Sequence, residues 1–237
     1  MQTTLPRKER ERLEREAKIL DLARDMLRTS GYHGLSMDRI AAEIEYSKGT
    51  VYQHFRNKEE ILLALANQAL ETRVGMFEAA STWHSRSRMR MTAVGAAVEQ
   101  FVHQYPQHFA VEQLVRSDSI WEKTSEDRRR FLQHCEGRCM QIVGGIVRDA
   151  IAQKDLTMPE GHVAEDLVFG LWSMSFGAHT IMTSSDTLPE VGINEPSASL
   201  QFNYNMLLDG YGWKPLSSEL DYGAVLAEVQ KELYSDE

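Results

Sequence analysis

Apolar residues recur along this chain at steps of three and four, the spacing of one face of an α-helix, and from Ser87 onward no alternating strand pattern interrupts them. Met91, Val94, Val98, Phe101 and Tyr105 form one stripe, ended by Pro106. Phe131, Cys135, Cys139, Ile142, Ile146 and Ala150 form another, inside a helix expected from about Ser125 to Gln153 that Gly144 and Gly145 should bend or bring close to a neighbour. Between about Glu160 and Ser184 two patterns overlap. Val163, Leu167, Leu171, Met174, Ala178 and Ile181 make an apolar stripe, while Gly170, Ser173, Gly177, Thr180 and Ser184 make a strip of small residues suited to close helix contact. A further helix is expected from about Ser197 to Tyr211. The pattern predicts an all-α protein.

Toward the N-terminus the helices are shorter and marked by their caps. Ser36 stands before Ile40, Ala41 and Ile44, with Asp38 placed to complement the positive end of the helix. Ser47 stands in the same way before Val51, Tyr52 and Phe55, so only about two residues are left for the turn between the two helices. Asn57 caps a third helix, with Glu60 placed to complete a capping box. Ala41 is small where the first two helices should cross, and Val51 and Phe55 point back into the same core. Lys48, Gly49, Thr50, Tyr52, Gln53 and His54 are left facing outward. That face suits the donors and acceptors of a DNA major groove, and it also suits plain solvent, a reading that spacing favours less.

The residues around these caps extend the case. The segment Ile19 to Ala66, containing S-K-G-T-V-Y-Q-H-F-R-N-K-E-E-I-L and preceded by G-Y-H-G-L-S-M-D-R-I-A, resembles the DNA-binding domain of the tetracycline-repressor type of transcriptional regulators. The resemblance covers about a quarter of the chain. It implies an N-terminal three-helix helix-turn-helix DNA-binding domain over residues 1–66 and a C-terminal helical effector-binding and dimerisation domain over 67–237. It also implies that Lys48, Gly49, Thr50 and Tyr52 lie against base edges or adjoining backbone, in a helix capped by Ser47. Tyr52, His54 and Lys58 would hold phosphates, and Ser36 and Arg39 the backbone of the other strand, with Gln53 on the same outward face. The family's turn has glycine where this chain has Glu45, so a non-glycine residue is expected at a positive φ there.

Charge first reads as an objection to DNA. The 237 residues carry a net charge of −9, which disfavours indiscriminate binding to nucleic acid. Its distribution is less hostile, because residues 1–60 hold 12 Lys and Arg against 11 Asp and Glu, while the remainder holds 14 against 24. From Tyr46 to Lys58 there are Lys48, Arg56 and Lys58 and no acid. Near the start, Arg7, Lys8 and Arg10 belong either to a solvated extension of the first helix or to an arm reaching a minor groove. The N-terminal residues are polar, and the most apolar run, residues 167–182, is too short and too polar to span a bilayer. A cytoplasmic protein without a membrane partner is expected.

The remaining candidates concern the second domain. Its two-faced helix must bury a second side, and the resemblance implies pairing of the last two large helices across a two-fold axis. The expected homodimer interface is Leu167, Gly170, Ser173, Met174, Gly177 and Ile181 with Leu200, Tyr204, Leu207 and Tyr211. Phe101, Tyr105, Phe109, Trp121, His134, Trp172, Phe176 and His179 are candidates for a small-molecule effector pocket, although each taken alone reads more readily as core. Cys135 and Cys139 share one helical stripe, where thiols act as small apolar groups. His162, Glu165 and Asp166 have the spacing of a metal site but stand where a helix start attracts acids anyway. No catalytic residues, metal or cofactor are predicted, and the partners expected are double-stranded operator DNA, a second copy of the chain and an unidentified small molecule. The alternative reading attaches an enzyme or a protein-interaction module to the helix-turn-helix.

Overall fold

The computed structural model describes residues 6–115 and 118–235. Eleven α-helices appear among them: α1 (Arg7–Gly34), α2 (Met37–Glu43), α3 (Lys48–His54), α4 (Lys58–Thr82), α5 (Ser87–Gln104), α6 (Pro106–Val115), α7 (Asp118–Trp121), α8 (Glu126–Ala152), α9 (Ala164–Ser184), α10 (Pro196–Gly210) and α11 (Tyr222–Tyr234). No strand occurs among the described residues.

The chain forms two compact units, Met1–Glu71 with Tyr105–Cys135 and Thr72–Gln104 with Glu136–Glu237. Sequence alone divides the chain once, at residue 66, whereas packing adds 105–135 to the first unit. The physical reason is a set of ties local to that unit. Helix α6 packs on α1, Asn57 donates through Nδ2 to the Lys123 carbonyl at 3.0 Å, and Arg128 reaches Glu60 at 3.0 Å and Glu16 at 3.4 Å.

In the first unit, Ile19, Leu20, Ala23 and Met26 of α1 close over Ile40, Ala41, Val51 and Phe55. Every residue from Ile61 to Ala66 in α4 is buried as well, so this stretch is enclosed rather than amphipathic. Helix α1 begins at Arg7, and its exposed first turns are laced by ion pairs one turn apart, Arg7 with Glu11 at 2.7 Å and Arg12 with Glu16 at 3.3 Å. Arg7, Lys8 and Arg10 are thus helical and solvated. The helix kinks at Gly31, whose φ of 62° and ψ of −172° only glycine adopts without strain.

In the second unit α5 packs on α11 and on α9, and α9 on α10. Arg88 of α5 is fully buried at this junction. Its guanidinium pairs with Asp209 of α10 at 2.6 Å, donates to the Trp213 carbonyl and lies 4.7 Å from the centre of the Tyr222 ring of α11. A buried charge held by a carboxylate, a carbonyl and an aromatic face fixes the relative register of three helices. Burial alone would raise the Asp209 carboxyl, but bonds from Ser217 and Arg88 prevail and hold it below its ordinary value. Helix α8 is continuous through Gly144 and Gly145. An added Cβ at Gly144 would meet the Arg148 guanidinium of its own helix at 3.0 Å, so the glycine makes room for that side chain.

Candidate nucleic-acid interface

The short helices arise where their caps place them. Ser47 caps α3, its Oγ accepting from the Thr50 N–H at 3.1 Å and sharing a 2.8 Å hydrogen bond with the Thr50 hydroxyl. Asn57 Oδ1 accepts from the Glu60 N–H at 2.8 Å at the start of α4. Ser36 occupies the N-cap of α2 without a side-chain capping bond. The Glu60 carboxylate, expected to close a capping box, is engaged by Arg56 at 2.9 Å, by Ser125 and by Arg128. Between α2 and α3 the chain turns through Glu45, which has a φ of 55° as the missing family glycine implies.

Helix α3 divides cleanly by burial. Val51 and the capping Phe55 are buried, while Lys48, Gly49, Tyr52 and Gln53 are exposed, Tyr52 by 49%, and Thr50 is half-buried. The exposed face therefore presents an ammonium, bare backbone, a phenol and an amide in one row. Nothing inside the chain requires glycine at position 49, since an added Cβ would meet only Ser47 Oγ at 3.7 Å. Its missing side chain leaves backbone open to whatever approaches from outside.

Charges around this face are partly spoken for. Lys48 Nζ donates to Asp38 Oδ2 at 2.7 Å, and this bond raises the ammonium pKa. Lys58 lies 4.1 Å from the centre of the Tyr32 ring and donates to the Tyr32 carbonyl at 3.3 Å. The Tyr32 hydroxyl in turn donates to Glu59 at 2.9 Å, and burial, aided by that carboxylate, pushes the phenol up to about 12. Burial would raise Glu59, but its own backbone N–H, Tyr32 and Lys123 bind the ionised form and hold it below the usual value. Arg39 is exposed, donates to the Gly34 carbonyl at 3.1 Å and lies 3.7 Å from Glu43. These long-range partners, 10 to 64 residues apart, leave no periodic trace in sequence.

His54 departs from expectation. Only 7% of its side chain is exposed, and Nδ1 lies 3.9 Å from the Glu16 carboxylate of α1. Burial lowers its pKa against the opposing pull of Glu16. The cause is its place as the last residue of α3. There the backbone turns extended at Phe55, and the ring swings from the outward face onto α1.

In the second unit a cavity of about 80 Å³ lies among α4, α5, α8, α9 and α10. Of the eight expected pocket residues, Trp172 borders it. Tyr105, Phe109, Trp121 and His134 belong to the first unit, with Phe109 buried and His134 exposed. Phe101 is core. Phe176 and His179 sit one to two turns beyond the cavity's stretch of α9, and His179 Nδ1 lies 2.8 Å from the Ser175 carbonyl. Aromatic content singled these residues out, but the wall is mostly aliphatic and methionine: Met91, Val94, Val98, Met140, Val143 and Leu171.

The residues expected to form the dimer face divide by burial. Leu167 turns into the core, and Tyr204 borders the cavity with its hydroxyl 3.4 Å from the Leu171 carbonyl, its pKa pushed by burial to about 12. Ser173 and Ile181 are exposed, while Gly170, Met174, Gly177, Leu200, Leu207 and Tyr211 are half-buried. Large apolar groups outside the expected set stand in solvent beside them: Phe169 (64%), Trp172 and, on α10, Phe202 (61%) and Met206. Cys135 and Cys139 are buried free thiols. His162 Nδ1 lies 3.2 Å from Asp166 while Glu165 pairs with Arg148, so the three do not converge. Among the described residues no group of three His, Cys, Asp or Glu side chains is arranged to hold a metal, and no helix is long and apolar enough to cross a membrane.

A family model described as bacterial regulatory proteins, tetR family, matches residues 19–65, from within α1 through α2 and α3 to the first turns of α4. Over residues 19–65 the chain is thus similar to the tetR family. The HTH-type transcriptional activator FasR of Mycolicibacterium smegmatis is 36% identical over 90 residues, or 37% of this chain and 39% of that protein, so the match spans well under two thirds of that relative. Solved structures extend the likeness in fold. A tetR-family regulatory protein from Rhodococcus RHA1 has a TM-score of 0.64 at 17% identity, covering 84% of this chain and 97% of its own. The FadR regulator of Bacillus subtilis, solved in complex with stearoyl-CoA, has a TM-score of 0.59 at 19% identity, covering 82% and 98%. The all-helical plan of the tetR fold, a helix-turn-helix followed by a helical domain, therefore runs through most of the chain.

Proposed function

We propose that this chain is a sequence-specific DNA-binding transcriptional regulator of the tetR type, a homodimer that represses until a small-molecule effector binds its second unit. The observation that carries the reading is the split of α3, whose buried side anchors it while Lys48, Gly49, Thr50, Tyr52 and Gln53 face out within the tetR-matching segment. A face of that kind fits the major groove, where amide, hydroxyl and ammonium groups distinguish base pairs. Docking exchanges the Asp38 partner of Lys48 for DNA, and Arg39 and Lys58 lie nearby to meet phosphates. One such unit contacts few phosphates, so operator affinity depends on two copies bound together. The apolar residues exposed on α9 and α10 supply a surface for that pairing. The cavity in the second unit supplies an effector site whose occupation biases the arrangement of the two recognition helices, to the extent that the effector binds one arrangement better. A protein of this kind acts in the cytoplasm.

A gel-shift with DNA upstream of the gene tests the reading. A shifted band that survives excess random DNA is expected; no shift at low ionic strength contradicts it.

A further inference from the structure

We infer that the cavity of the second unit takes an electrically neutral, mainly apolar small molecule bearing a hydrogen-bonding group, which deepens and rests on the reading of that unit as an effector domain. The apolar walls are aliphatic and thioether side chains with the rings of Phe77 and Trp172, and among the described residues no Lys, Arg, His, Asp or Glu borders the space. Its polar groups are uncharged and cluster on one side: Gln201, Tyr204 and Asn205, spaced at three and four residues, share one face of α10. Thr92 also borders the cavity, but its hydroxyl donates to the Arg88 carbonyl at 3.1 Å.

The ionic groups next along these two helices are engaged elsewhere or point to solvent: Arg90, beside Met91, pairs with Asp149 at 3.0 Å, and Glu99, beside Val98, is exposed. Arg88 lies one turn before Thr92 on α5, Asp209 one turn after Asn205 on α10, and they pair at 2.6 Å. A carboxylate or ammonium entering the cavity would lose its hydration with no counter-charge to replace it, whereas a hydroxyl or amide would find amide partners on α10. The space of about 80 Å³ is several times what one water molecule needs (roughly 10–15 Å³ by the same measure), which admits a short chain or a small ring system. Gly95 forms part of the wall, and a Cβ built there meets nothing within 4 Å, so the cavity reaches the α5 backbone.

The experiment uses the full chain without DNA and three probes of equal chain length, 1-octanol, octanoate and octylamine, titrated by calorimetry at neutral pH, where the latter two are ionised. Octanol is expected to bind at least about tenfold more tightly than either ion. Equal or tighter binding of an ion, or no binding of octanol, overturns the proposal. Gly95→Leu fills the space from a helical position that tolerates leucine better than glycine, and is expected to abolish octanol binding without lowering the melting temperature. Should that variant fail to fold, Gly95→Ala is expected to weaken octanol at least about threefold, by taking part of the same volume. Parent-like octanol binding by the folded variant overturns the assignment of the cavity. A chain that binds octanol as described but fails the gel-shift would sink the regulator reading and leave the cavity's chemistry standing.

Discussion

Tyr52 stands half exposed on α3 beside a buried Val51, so its side chain is free for a partner while its backbone is fixed by the core. Tyr52→Ala is expected to weaken operator binding by about 1–3 kcal/mol while changing stability by no more than roughly 0.5 kcal/mol; anisotropy titration and thermal melts read the two separately. The outward set was legible at this scale because helical spacing alone separates Lys48, Gly49, Tyr52 and Gln53 from Val51 and Phe55. His54 was misplaced because spacing assumes the helix continues, and at His54 it ends. A second histidine makes the first unit pH-sensitive. Burial, aided by Arg24, lowers His108 from 6.5 to about 4, and its ring stacks on Tyr105 with centroids 5.2 Å apart. The unfolded chain therefore takes up a proton that the folded chain refuses. Stability from this group is complete above about pH 6.5 and is lost as pH falls toward about 4. His108→Phe keeps the stack and is expected to flatten the fall in melting temperature across that window relative to the parent.

At the scale of elements, caps carried the most information. Ser47 and Asn57 mark the starts of α3 and α4 within a residue, because a side-chain oxygen serving free backbone N–H groups is a local signal. The turn before α3 was legible too. Glu45 holds a left-handed φ of 55° that penalises a side chain. Glu45→Gly is expected to raise the stability of the first unit by about 0.5–1 kcal/mol, the relief of strain exceeding the added freedom of the unfolded chain. Denaturant titration measures this, and a destabilised variant would mean that Glu45 contributes contacts that outweigh its backbone. Helix α11 went unread, although Asp221 caps it and Val225 and Val229 are buried one turn apart. Its apolar stripe is short and bounded by charge, and the Arg88 centre that receives it is assembled from residues more than a hundred positions apart.

At the scale of the whole molecule, the grouping of 105–135 with the first unit and the walls of the cavity were illegible, since both depend on which helix faces meet. The two-faced character of α9 was visible in its pattern, but the side left in solvent is marked by Phe169 and Trp172 rather than by Leu167. Phe202→Glu places a charge in that apolar patch and is expected to lower the sedimentation mass toward one chain and weaken operator binding with it. An undisturbed dimer would locate the pairing surface elsewhere. The central claim, that α3 of two chains lies in the grooves of one duplex, is open to a direct reading because both native thiols are buried. Gln53→Cys therefore carries the accessible thiol for an iron–EDTA label that cuts nearby DNA. Two symmetric cleavage clusters, separated by about one helical turn of ~34 Å or a multiple of it, are expected on the upstream fragment. Uniform cleavage, or none where the protein is bound, would contradict the account.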